Sequence, residues 1–164
     1  MKKALFTLAL IVGLSTMSFA QNSNVKYHGE FDLGYSFGVG TFKADRVNAH
    51  TIQGIQIGEC FSTGLGIGVD YYTKSTEAFI PVFLNVKGYY PTGSNIKPYL
   101  SLDLGYGFGV TKGVNESSGF YFSPSLGVKL KWFKIQAGYT SQRISSSGIG
   151  ANLNAIQIKL GFMF

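Results

Sequence analysis

From Val25 to Val39 the chain alternates: Val25, Tyr27, Gly29, Phe31, Leu33, Tyr35, Phe37 and Val39 share one parity, and Lys26, His28, Glu30, Asp32, Gly34, Ser36 and Gly38 share the other. A repeat of two is that of an extended strand, whose successive side chains point to opposite faces. One face is lipid-like and the other is charged or tiny. The same division recurs at 64–72, where Leu65, Ile67, Val69 and Tyr71 oppose glycines and Asp70, and at 80–87, where Ile80, Val82, Leu84 and Val86 oppose Phe83, Asn85 and Lys87. It returns at 98–110, where a leucine and aromatic face opposes Tyr99, Ser101, Asp103 and glycines. At 120–132 the minority face is Tyr121, Ser123, Ser125, Gly127 and Lys129, and at 133–139 it is Lys134, Gln136 and Gly138. The closing run sets Ile156, Ile158, Leu160, Phe162 and Phe164 against Gln157, Lys159, Gly161 and Met163.

About eight antiparallel strands are therefore predicted. The second, at 47–58, breaks the pattern, because Ile52 has the opposite parity to Ile55 and Ile57. A bulge near Gly54 would restore the phase. A soluble sandwich also alternates, but its polar face collects Lys, Glu and Thr, whereas here that face is mostly Gly and Ser with single charges. Small residues suit a narrow, filled lumen. Strands of about ten residues, at about 3.3 Å each and tilted about 45°, match the roughly 25 Å apolar band of an outer-membrane barrel. Short connections at 58–62, 91–95 and 131–133 alternate with longer polar ones at 41–46, 73–77, 111–118 and 143–152. This is the asymmetry of short periplasmic turns and longer surface loops, and pairing of the first strand with the last would leave no open edge. With Val25 near Phe164, Glu30 would fall about level with Lys159, subject to barrel shear.

The chain start adds a destination. Lys2 and Lys3, the apolar run at 4–14 and the Ser18-Phe19-Ala20 site have the form of a cleaved export signal, so 1–20 is expected to be a signal peptide and 21–164 the barrel domain. The apolar run is too short for a spanning helix, and no long one follows. A mean hydropathy of +0.15 with so few charges then requires any membrane span to be made of strands. Without Lys2 and Lys3, the 14 basic residues become 12 against 8 acidic, and the formal charge of +6 falls to about +4. The remaining charges are scattered, so no nucleic-acid footprint forms. The single Cys60 can make no intramolecular disulfide and is expected in a turn.

Several segments carry a resemblance: the Gly-Leu-Gly-Ile-Gly-Val-Asp-Tyr-Tyr run at 64–72, Ile-Pro-Val-Phe-Leu-Asn-Val at 80–86, Leu-Asp-Leu-Gly-Tyr at 102–106, and the alternating carboxyl end. In these the chain resembles the small outer-membrane β-barrel proteins common in Bacteroidota, similar in architecture to other eight-stranded membrane barrels of the OmpA and OmpX kind. The resemblance implies an all-β, eight-stranded, antiparallel up-and-down transmembrane barrel in the outer membrane of a Gram-negative bacterium, with no catalytic motif. Phe162 and Phe164 resemble the terminal aromatic signal read by the barrel-assembly machinery, which would be a partner during insertion, as outer-membrane lipids would be afterwards.

The chemistry within the pattern is sparse. His28, Glu30 and Asp32 lie on one face at two-residue steps, a metal-ligand chemistry, but same-face neighbours are about 7 Å apart and cannot close on one ion unaided. They fit better with Asp70, Lys87, Asp103, Lys129 and Lys159 in a lumenal polar network, beside Tyr99 and Tyr121. Asp103 is expected to pair with Lys87 or Lys129. The Gly-Tyr-Gly-Phe-Gly run at 105–109 lacks the following helix of a nucleotide loop. A lipid-modifying barrel enzyme would need a base near the membrane surface, for which His50 is the candidate, with Ser145, Ser146 and Ser147 among the loop serines. No spacing identifies a nucleophile. The expectation is a non-enzymatic barrel without cofactor or resident metal, with a structural or surface-interaction role. The alternatives are a narrow channel for ions or small solutes, a lipid-modifying enzyme and a soluble lipid-binding barrel.

Overall fold

In a computed structural model of the protein, residues 24–40, 44–73, 77–110, 118–146 and 149–164 are described. The segment 1–20 and most of the longer connections lie outside them. The strands are β1 (Val25–Val39), β2 (Arg46–Ile57), β3 (Phe61–Tyr72), β4 (Glu77–Tyr89), β5 (Ile96–Gly109), β6 (Ser118–Leu130), β7 (Phe133–Ser146) and β8 (Ile149–Met163). Each pairs antiparallel with its sequence neighbours, and β1 pairs with β8, so the sheet closes as an eight-stranded barrel.

At the closing seam Glu30 lies opposite Met163, and Lys159 lies opposite Gly34. The expected level of Glu30 with Lys159 is thus displaced along the strands by the stagger that closure imposes. Gly29 and Phe164 exchange backbone hydrogen bonds of 2.7 and 2.9 Å. The ring of Phe164 covers Gly29, where a Cβ would come within 2.8 Å of three ring carbons. Glycine here is required by close approach.

β2 contains no bulge: its register against β1 and β3 runs unbroken through Gly54. Ile52 points inward, 3% exposed, and packs with Phe83 and Tyr121. The lumen has an apolar layer of its own, so the parity of Ile52 needs no repair. Two other ladders have gaps instead. The β3–β4 pairing skips the positions around Pro81 and the β6–β7 pairing those around Pro124, with no change of register on either side. A proline has no N–H to give, and in a closed barrel it loses a rung without opening an edge.

The short connections place Gly58 and Gly93 at φ 62° and 68°, and Lys131, not a glycine, at φ 60°. Cys60 is exposed in the first of these turns. Neighbouring turns are tied together, Lys131 N–H to the Asn95 carbonyl at 3.1 Å and Met163 N–H to that of Trp132 at 2.7 Å. At the opposite end, β7 and β8 continue to Ser146 and Ile149, shortening the connection expected at 143–152. Backbone pairing there proceeds through Ser and Gly positions that carry no hydrophobic alternation.

Polarity is inverted relative to a water-soluble domain. Leu65, Leu100 and Leu126 are 65%, 66% and 62% exposed, while Glu30, Asp70 and Lys134 are at 0%.

Candidate functional site: the lumenal polar network

Because odd and even positions alternate between exterior and lumen, every strand delivers polar side chains to the axis. Buried Glu30, Asp32, Asp70 and Asp103 are matched, acid for base, by buried Arg46, Lys87, Lys134 and Lys159. An unpaired charge in such a space costs several kcal/mol, so this balance is a condition of folding.

Nearer the turn end, Glu30 is the hub. It takes Lys87 Nζ on both oxygens at 2.7 and 2.8 Å, His28 Nε2 at 2.5 Å, and Lys134 Nζ. Lys134 also reaches Asp32 at 2.9 Å. With their oxygens occupied by ammonium groups, Glu30 and Asp32 form an ion-pair cluster with His28. Lys134 was missing from the expected network, although its parity with Gln136 was visible in the sequence.

The expected pairing of Asp103 with a lysine does not form. Asn85 stands between: its amide donates to the Asp103 carboxylate, and its carbonyl accepts from Lys87 at 2.9 Å. Asn85 therefore relays the two, and Lys87 reaches across the barrel to Glu30. Lys129 lies further toward the turns, opposite Lys97, whereas Asp103 lies opposite Ser123. Six residues of strand, about 20 Å, separate Lys129 from Asp103.

A second cluster surrounds Asp70. His50 Nε2 lies 2.8 Å from Asp70 and its Nδ1 3.2 Å from Lys159 Nζ. An ammonium can only donate, so Nδ1 is the acceptor in that contact and Nε2 is the nitrogen turned to the Asp70 carboxylate. Asn48 donates to Asp70 at 2.6 Å, and Arg46 Nε faces its other oxygen at 3.8 Å. Arg46 also donates to Tyr72 at 2.6 Å and Thr140 at 2.9 Å. His50, the candidate surface base, is instead a lumenal residue, 2% exposed. Arg46, the first residue of β2, lies within the connection expected at 41–46, because the alternation fades before Val47.

Between and beside these clusters lie aromatic layers, Phe83 with Tyr121 and Tyr89 with Tyr99. Tyr99 donates to Gln136 at 2.9 Å. Toward the turns the lumen ends in a vestibule where Lys97 binds exposed Glu59 at 2.7 Å. That hydrogen bond, with the charge of Lys97, holds the Glu59 carboxyl below its ordinary value. On the exterior at this end, the Phe162 ring stacks on Trp132 with centroids 5.5 Å apart and meets Phe133 edge-on, while Phe164 neighbours Tyr27.

No protein-family model and no curated protein matches the chain. Solved structures do match. Neisserial surface protein A (NspA) is 15% identical, with 86% of this chain and 98% of that chain covered and a TM-score of 0.66. The N-terminal β-barrel domain of Pseudomonas aeruginosa OprF is 16% identical, covering 88% of this chain and 100% of that one, with a TM-score of 0.54. The outer membrane enzyme PagL is 10% identical, covering 82% and 98%, with a TM-score of 0.52. At such identities the likeness is one of fold alone: the chain is a closed, eight-stranded antiparallel barrel similar to outer-membrane barrels of known structure.

Proposed function

We propose that the chain is a non-enzymatic, integral outer-membrane β-barrel protein of a Gram-negative bacterium, whose rigid, side-chain-filled barrel carries its longer loops for a structural or surface-interaction role. The observation that supports this reading best is the inverted polarity. Exposed Leu65, Ile67, Leu84, Leu104, Ile158 and Leu160 form the middle of the outer surface. Exposed Tyr90, Trp132, Phe162 and Phe164 lie toward the turns, and Tyr35, Phe37, Tyr106 and Phe108 toward the other end. An apolar band between two aromatic girdles fits a bilayer and its two interfaces. Outer-membrane lipids are then its constant partners, and Phe162 and Phe164 its signal to the barrel-assembly machinery.

Both other membrane readings are less well supported. His50, the base an enzyme would use, is engaged by Asp70 and Lys159 inside the barrel, away from lipid. A channel for ions or small solutes would need an axis free of the large side chains that fill it.

Fractionation of the expressing cells tests the reading. The protein should co-sediment with outer membranes, migrate anomalously on gels unless boiled, and begin at Gln21 by mass spectrometry if 1–20 is its export signal. Recovery in the soluble fraction without heat-modifiable mobility would overturn the membrane assignment, and a start upstream of Gln21 would overturn the cleavage.

A further inference from the structure

Three lysines stand side by side across adjacent strands near the turn end: Lys97 on β5 is directly opposite Lys129 on β6, and Lys129 is directly opposite Lys134 on β7. Directly opposed residues on one face have Cβ atoms about 5 Å apart, and like charges in that arrangement repel. The outer two are compensated, Lys97 by Glu59 and Lys134 by Glu30 and Asp32. Lys129, between them, has no carboxylate within ion-pair distance among the described residues, and its ammonium lies over the Tyr89 ring, 5.7 Å from the centroid. A row of three positive charges whose middle member lacks an anion is costly unless one is supplied.

The place for it is present. Lys97, Lys129 and Lys131 line a vestibule of about 230 Å³ whose wall includes Tyr89, Ser94 and Asn95. Lys26 adds further positive potential near Glu59. Lys131 is positioned by its left-handed backbone and by its bond to the Asn95 carbonyl. We propose that this vestibule is an oxyanion site for a phosphate group, with Lys129 as its central ligand and Lys131 as the second cation. A phosphate presents several acceptor oxygens; free phosphate carries about −1.5 to −2 charges and a lipid phosphodiester about −1, set against the two lysines that Glu59 leaves uncompensated. Ser94 and Asn95 offer neutral donors for the remaining oxygens. The group is free phosphate or the phosphate of a lipid headgroup bent over the rim.

The refolded barrel in zwitterionic micelles is titrated with inorganic phosphate at constant ionic strength, followed by amide and lysine NMR signals. A parallel arm compares nanodiscs of zwitterionic lipid with nanodiscs containing phosphatidylglycerol, without added phosphate. Saturable shifts at Lys129, Lys131 and Asn95 are expected in at least one arm, and the arm identifies the source. Lys129→Gln should weaken binding on the order of tenfold or more. Without anion that variant should resist urea at least as well as the wild type, since repulsion is relieved, and only the wild type should gain resistance when phosphate is added. A merely structural Lys129 would give the opposite pattern. Non-saturating shifts in both arms, or binding unaltered by Lys129→Gln in a barrel that retains heat-modifiable mobility, would overturn the site.

Discussion

The ring of Phe164 rests on Gly29, and the two residues exchange backbone hydrogen bonds across the β1–β8 seam. A side chain at position 29 and the terminal ring compete for one volume. Gly29→Ala should therefore destabilise the barrel by about 1–3 kcal/mol in urea unfolding, as overpacking does. Phe164→Ala, introduced with it, should relieve the clash, so the double variant should be more stable than the two single effects added together, by about 0.5–3 kcal/mol. Additive effects would show that the seam does not depend on this contact.

Within the lumen, the hub and the periphery of the ion-pair cluster should differ. Removing Glu30 leaves buried Lys87 without a carboxylate and buried Lys134 with Asp32 alone, and breaking a buried ion pair costs about 3–5 kcal/mol. Asp103 is held by the neutral Asn85 amide, so Asp103→Ala should cost less, about 1–3 kcal/mol. Urea midpoints of Glu30→Ala and Asp103→Ala, compared at equal slope, test the order. A larger loss for Asp103→Ala would mean that its charge supports Lys87 more directly than the Asn85 relay implies.

The difference between those two residues also marks where the sequence stops being legible. Strand number, the inward parity of Glu30, Asp32, Asp70, Lys87, Asp103 and Lys159, and the outward parity of the leucines follow from period two, which is local. Partner choice is not local. Lys87 meets Glu30 rather than Asp103 because shear and tilt bring β1 and β4 side chains together across the axis, and no pattern within either strand carries that information. Ile52 misled for a related reason. Its parity looks like a phase break only if the lumenal face of the second strand holds no aliphatic side chain, whereas Ile52 joins Phe83 and Tyr121 in an apolar layer there. Arg46 and Ser145 escaped because alternation ends before the strands do.

Outside the barrel proper, the Glu59–Lys97 pair gives a titration with a definite sign. The hydrogen bond and charge of Lys97 lower the folded-state pKa of Glu59, so the pair favours the folded form above the unfolded pKa and loses its effect as pH falls through the lower, folded one. Carboxyl NMR of Glu59 should report a midpoint below that of an ordinary glutamate, returning to the ordinary value in Lys97→Met. Being exposed, the pair should leave thermal stability nearly unchanged, since such ion pairs contribute little. An unshifted midpoint in the wild type would show that the contact does not persist in solution.

Conduction is the property on which the plugged and open readings of the lumen diverge. Arg46, Tyr72, Phe79, Phe83, Tyr99 and Tyr121 are among the largest side chains of the protein, all at 2% exposure or less, and all lie in the interior of an eight-stranded barrel. An interior of that size is only wide enough to be filled by side chains. The fillers are also fastened: Arg46 to Tyr72 and Thr140, Tyr99 to Gln136, and Lys87 and Lys134 to Glu30. An ion moving along the axis would have to displace ammonium and carboxylate groups already paired with one another, and separating a buried pair costs several kcal/mol. With two such clusters in series, one around Glu30 and one around Asp70, purified protein in planar bilayers should show no steady current. A stable, reproducible single-channel conductance from the wild type would mean that the clusters rearrange readily, and would favour the channel over the plugged barrel.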